Sequence, residues 1–158
     1  MPSALSASAL RRLRGSLDEQ LSALGEAPFE GGDEAAVAAC AEAVLRADEP
    51  LRAAVKAAVR GSLAVLADRA PGHSLEVRVP PYGAVQAVEG PRHTRGTPPG
   101  VVETDPLTWL RVATGRLSWE QAVSGHLVRA SGARSDLSGR LPLWPVPPPG
   151  GAGRTARY

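Results

Sequence analysis

The apolar positions of this chain change period once, and that change limits the folds open to it. Up to about residue 70 they recur at spacings of three and four, the repeat of one helical face; from residue 74 they alternate, the repeat of a half-buried strand. In "ALRRLRGSLDEQLSAL" Leu10, Leu13, Leu17, Leu21 and Leu24 line one face, and Gly25, Pro28, Gly31 and Gly32 then break the pattern. Asp33 is placed to cap a second helix whose stripe is Val37, Cys40, Val44 and Leu45. A third restarts at Asp48 with Pro50 in its first turn, buries Leu51, Val55, Val59, Leu63 and Leu66, and stops at Pro71-Gly72.

Beyond that point "SLEVRVP" sets Leu75, Val77 and Val79 against Glu76 and Arg78, "PPYG" is a turn, and "AVQAVE" reads as a strand paired back on the first. "GVVE" is a short third strand. Asp105 caps a helix that opens with Pro106 and leaves at Gly115; Ser118 and Gln121 have capping-box spacing for another that stops at Gly125. "HLVRAS" then reads as a strand and "ARSDLSGRL" as a last helix. The expectation is an α+β fold: a small, mostly antiparallel sheet covered by helices on one face, with an N-terminal helical segment over residues 1–70 and the α+β domain over 74–143. The tail "PLWPVPPPGGAGRTARY" holds five prolines and no repeated apolar face, so disorder is expected over 145–158.

Composition excludes several classes of function. The formal charge is +2, with arginine supplying every base except Lys56, too near balance to require nucleic acid as a partner. No apolar run approaches the roughly 20 residues of a membrane-spanning helix. No apolar stretch follows Arg11, Arg12 and Arg14 to make an export signal, and the lone Cys40 sits among alanines as a small buried hydrophobe. A reduced, cytoplasmic setting is therefore expected. Arg52, Lys56 and Arg60 follow one another at i, i+4 and read as a solvated basic stripe.

The run "TDPLTWLRVATGRLSWEQAVSGHLVRASGARSDLSGRL", with its acidic helix cap, glycine exit, short second helix and following strand, resembles the sterol carrier protein superfamily. From "EVRVPPYGAVQAVEG" onward the chain looks like its bacterial orthologue branch, common in high-GC actinobacteria. The resemblance implies a small sheet under helices with an apolar tunnel between them that holds a lipid, a fatty acyl chain or a sterol-like molecule, and no catalysis and no cofactor. The implied lining is Val77, Val79 and Val85 from the strands, with Leu107, Trp109, Leu110, Trp119, Val123 and Leu127 from the later elements. Each of these positions is also where a plain core would place an apolar side chain.

Other chemistries find little support. His73, His93 and His126 are far apart and form no H-x-x-x-H pair, so no metal site is expected; no G-x-S-x-G elbow and no phosphate loop occurs. The segment "VEGPRHTRGTPPGVVETD" remains, longer than a usual hairpin connection. Arg92, His93, Thr94 and Arg95 could hold the carboxylate or phosphate head of a bound molecule, or the stretch could be a plain surface connection. Two further readings stay open. One is an interaction module with a filled core and an unknown protein partner; the other is a small enzyme using His93 with Glu89, Glu103 or Asp105.

Overall fold

The computed structural model describes residues 5–90, 100–132 and 134–144. Three helices come first, α1 (Ala7–Ala23), α2 (Asp33–Arg46) and α3 (Arg52–Arg69). Strands β1 (Leu75–Val79), β2 (Gly83–Ala87) and β3 (Gly100–Thr104) follow, then α4 (Pro106–Ala113), α5 (Trp119–Ser124) and β4 (Val128–Ser131). The architecture is α+β, a four-stranded sheet with the helices built over one face. The expected tail lies outside the described residues.

The apolar stripes read from the sequence become the core. Leu13 and Leu17 of α1, Cys40 and Val44 of α2, and Val59, Leu63 and Leu66 of α3 are all within 2% of complete burial. Each large side chain withdrawn in this way is worth roughly 1.5–3 kcal/mol relative to leaving it exposed. The third helix is the hub: it packs on α1, α2, β2 and α4, and Ala54, Ala58, Gly61, Ser62 and Ala64 are buried on it along with the larger residues. Small side chains let its neighbours approach closely. A Cβ at Gly61 would lie 2.8 Å from Leu13 Cδ1, so α1 rests directly on the backbone of α3.

Inside this core two polar groups find each other. Trp109, only 1% exposed, donates its indole N–H to Ser62 Oγ at 2.8 Å. Ser62 in turn donates to the carbonyl of Ala58 at 2.7 Å, so both buried groups are satisfied and α4 is pinned to α3 at one point.

The sheet has the order β2-β1-β3-β4. The outer pairs are antiparallel, as expected, but β3 lies beside β1 in parallel, with Leu75 opposite Gly100 and Val77 opposite Val102. The end of β2 and the start of β3 thus flank the start of β1 on opposite sides. Ser74 marks the crossing: its N–H donates to the Val88 carbonyl at 3.1 Å, and its own carbonyl accepts from Gly100 N–H at 3.1 Å. A chain that must pass the end of one strand cannot use a two-residue turn, which is reason enough for the length of the connection. Leu75, Val77, Val79 and Val102 face the helices and are fully buried, while Glu76, Arg78, Glu103 and Arg129 alternate in charge across the open face.

Glycine is required at one place here. Gly72 has φ +148°, and a Cβ on it would meet the Val88 carbonyl oxygen at 2.1 Å. Val88 itself has φ +68°, unusual for a β-branched residue, and is held by its N–H bond to the Ala70 carbonyl at 2.6 Å.

Several local expectations are corrected. Helix α2 is capped by Gly32, not Asp33; the Asp33 carboxylate turns outward to Arg14 Nη1 at 3.1 Å. Asp48 does not start α3. Leu51 precedes it and, as the residue before the first turn, is 37% exposed and not buried as expected; its N–H is capped by the side chain of Gln20, which is 1% exposed and accepts at 2.7 Å. The last strand begins at Val128, because His126 N–H and Leu127 N–H still donate to the end of α5 and His126 has φ +58°. The final helix does not form: Gly132 and Arg134 have positive φ, and the Asp136 carboxylate accepts from Ser138 N–H at 2.9 Å, a local bond that competes with the helix. Leu137 is nevertheless fully buried and anchors this turn. Asp105 and the Ser118–Gln121 capping box are found as read.

The Trp109–Ser62 bond yields a stability prediction. Ser62→Ala leaves the indole N–H buried without an acceptor and destabilises the fold by about 1–3 kcal/mol, measured by urea denaturation. An unchanged midpoint would mean that the bond contributes nothing.

Candidate functional site

Among the residues implied as a lining, Val77, Val79, Trp109 and Leu110 are brought together, at 0–1% exposure, in the packed layer between sheet and helices. Val85 and Leu107 are half-buried against the same cluster. The remaining three lie at the other end of the sheet. Trp119 is 8% exposed, Val123 38% and Leu127 48%.

Trp119 and Val123 share a cavity of about 480 Å³ between α5, β4 and the turn that follows it. Its wall is completed by Glu120, Ser124, Ala130, Ser135, Asp136 and Ser138, none of which the period of the sequence singles out. The reason for the cavity is geometric. Ala130 pairs with Val102 and so belongs to the helix-facing side of the sheet, yet it is exposed, because α5 has only six residues and does not cover β4. On the α5 side the wall mixes apolar Trp119 and Val123 with Glu120 and Ser124, and on the other side it is polar. There Asp136 is held below the usual carboxylate range by the backbone N–H of Ser138, with smaller help from the Ser138 hydroxyl and the Trp119 indole N–H. A carboxylate kept charged at the rim favours water or a polar group there, opposite the apolar surface of Trp119 and Val123.

Leu127 lines a neighbouring hollow of about 290 Å³ with Pro80, Glu103, Thr104, Asp105, His126 and Arg129. Here the carboxylate of Asp105 accepts from Thr108 N–H at 3.1 Å as the cap of α4, and Thr104 Oγ1 donates to the Leu127 carbonyl at 2.9 Å. Both groups are occupied by structure. Arg92, His93, Thr94 and Arg95 lie outside the described residues. Among the described residues no cluster of three His, Cys, Asp or Glu side chains is placed to hold a metal, and no helix is long and apolar enough to cross a membrane.

With this geometry in hand, comparison with known families is informative. Residues 51–143, more than half of the chain, match the model of a family described as the bacterial SCP ortholog. The chain belongs to that family. No curated protein matches it. The match starts at the N-terminal end of α3 and ends at Leu143, so the SCP-like unit contains the hub helix, the whole sheet, α4 and α5. Helices α1 and α2 precede the matched region and cover the remaining face of α3.

One reactive group sits where α2 meets α3. The Cys40 thiol is fully buried, directs Sγ to the Ala54 carbonyl at 3.6 Å, and has its pKa pushed up by burial from 9.0 to about 12. It is a packing residue, as its alanine-rich setting suggested. The folded chain keeps this proton while the unfolded chain loses it above pH 9.0, so between pH 9.0 and about 12 stability falls as pH rises. The slope is at most ~1.4 kcal/mol per pH unit. Urea denaturation across that window should show a shallower decline for Cys40→Ala, and an equal slope in both proteins would contradict the burial effect.

Proposed function

We propose that this SCP-family protein binds a hydrophobic or amphipathic small molecule, such as a lipid, a fatty acyl chain or a sterol-like compound, and carries it without chemistry. The observation that carries this reading is the cavity beside β4, where the helix layer stops short of the sheet and Trp119, Val123 and Ala130 offer apolar surface to an open hollow with a polar rim. Its volume falls within the roughly 300–1,000 Å³ of small-molecule sites. In this reading Trp119, Val123 and Leu127 are the contact surface. Val77, Val79, Val85, Leu107, Trp109 and Leu110 are the packed wall behind it, reached only by a ligand that parts α4 from the sheet. Two of the carboxylates at the cavities, Asp105 and Asp136, are engaged as a helix cap and in a turn, which supports binding over catalysis.

A second reading, an interaction module, is favoured by a different observation. Trp109, Leu63, Leu66, Leu75 and Leu110 fill the core, and of the three large apolar side chains left exposed among the described residues, Leu51, Val123 and Leu127, the last two lie close together in sequence at the end of α5. Such a surface suits a protein partner as well as a ligand.

Native mass spectrometry after purification, with solvent extraction of anything bound, separates the two. A stoichiometric lipid or acyl adduct supports the carrier reading; a clean mass that stays clean after incubation with fatty acids and sterols supports the interaction module. Val123→Arg places a charge on an exposed position and should weaken a bound fluorescent acyl probe by about tenfold, equivalent to ~1.4 kcal/mol, without lowering the melting temperature. Unchanged probe affinity would place the ligand elsewhere.

A further inference from the structure

A third hollow lies away from both of those lined by Val123 and Leu127, along the seam where α1 runs over α3, with a volume of about 360 Å³. Half of it is built by α1, an element that precedes the family-matched region. The basic stripe on α3 is where it becomes unusual. Lys56 and Arg60, four residues apart on one face, reach the hollow, and Arg12 of α1 joins them from the facing helix. No acidic side chain lines it, and none of the ion pairs among the described residues involves these three cations.

The remaining wall is apolar. Ala9, Ala53 and Ala57 form a smooth floor, and Ser16 supplies one hydroxyl. The two helices that make the walls are fixed in their spacing. Leu13 rests on Gly61, and Gln20 of α1 caps the start of α3 through Leu51 N–H at 2.7 Å. Arg60 is oriented as well, because its Nε donates to the Tyr82 carbonyl at 2.9 Å and ties the side chain to the turn between β1 and β2. Preformed walls and an oriented guanidinium reduce the ordering cost of binding.

We propose that the α1–α3 cleft is a binding site for a single-chain anionic amphiphile, whose carboxylate or phosphate head meets Arg12, Lys56 and Arg60 while its hydrocarbon lies on the alanine floor. Three unpaired cations around one hollow repel one another, and an anion among them relieves that repulsion while making charge-assisted hydrogen bonds. Apolar floor and cationic rim together select an amphiphile over a free anion. This site is separate from the cavity at α5 and β4, and it stands or falls without it.

The test is calorimetric titration with dodecanoate, dodecyl phosphate, dodecyl maltoside and inorganic phosphate, on the unaltered protein and on the Arg12→Gln/Lys56→Gln double variant. Both positions are exposed, so the fold should survive, and circular dichroism checks this. Saturable binding of dodecanoate and dodecyl phosphate to the cleft is expected, weakened about tenfold or more in the double variant, and the same loss should appear on the Val123→Arg background, where acyl binding at the α5–β4 cavity is already weakened. Maltoside binding, if it occurs through the α5–β4 cavity, should respond to Val123→Arg and ignore the double variant. The proposal is overturned if the double variant leaves the affinity for both anions unchanged or weakens maltoside equally. It is also overturned if Arg92→Ala/Arg95→Ala abolishes anion binding instead, or if inorganic phosphate binds as tightly as dodecyl phosphate. Binding only to vesicles of anionic lipid, with no saturable uptake of dodecanoate, would overturn it in favour of a membrane-surface contact.

Discussion

Everything in this molecule is arranged around the burial of one helix. Helix α3 touches α1 and α2 on one side and β2 and α4 on the other, and its buried positions include small residues at which neighbours come close to its backbone. A helix enclosed in this way cannot be stable alone, since its apolar surface points in several directions and each must be covered. The Trp109–Ser62 hydrogen bond belongs to the same constraint: the largest core side chain carries a polar group, and the only way to bury it without cost is to give it an acceptor on the hub. The core is therefore specified by packing and by a few satisfied polar contacts, those of Trp109 with Ser62 and of Gln20 with Leu51 among them, and α1 and α2 complete it although the family match begins after them.

The sheet contributes a second constraint, its strand order. Placing β3 beside β1 in parallel keeps Val77 and Val102 in one buried row under the helices, and it obliges the chain to cross the start of β1. The same order leaves β4 at an edge, where α5 is too short to cover it. A family built as a sheet under helices has its natural opening where the cover is thinnest, and here that is the hollow of Trp119, Val123 and Ala130. The hub helix also presents an outer seam with α1, so hollows of opposite charge border one core: one beside β4 with Glu120 and Asp136 in its wall, and a cationic one between helices.

Legibility from the sequence followed the range of the interaction. Asp105 and the Ser118–Gln121 pair were readable as caps because each bond closes within three residues. Asp33 and Asp48 have the same chemistry and misled, because the first was drawn to Arg14 on another helix and the place of the second was taken by Gln20, thirty-one residues before the amide it caps. The segment after β4 reads as helical by composition, yet Asp136 and Ser138 satisfy each other and Gly132 bends the chain, so that a single buried leucine holds it as a turn. For the candidate sites the pattern is the same. Trp119 and Val123 could be named from their period, whereas Ala130 and Asp136 became part of the cavity only through strand pairing and the following turn.

By itself the sequence determined the three leading helices, the alternating strand of Leu75, Val77 and Val79, the caps of α4 and α5, the burial of Cys40 and the family to which the chain belongs, because periodicity and capping are local and a helical or pleated face repeats wherever it is. Only the tertiary structure decided that β3 lies parallel to β1, that Gln20 caps α3, that α5 leaves β4 partly uncovered, and that Arg12 stands across a cleft from Lys56 and Arg60. Those outcomes depend on which surfaces meet, and a meeting between residues far apart in the chain leaves no period in the sequence from which it could be read.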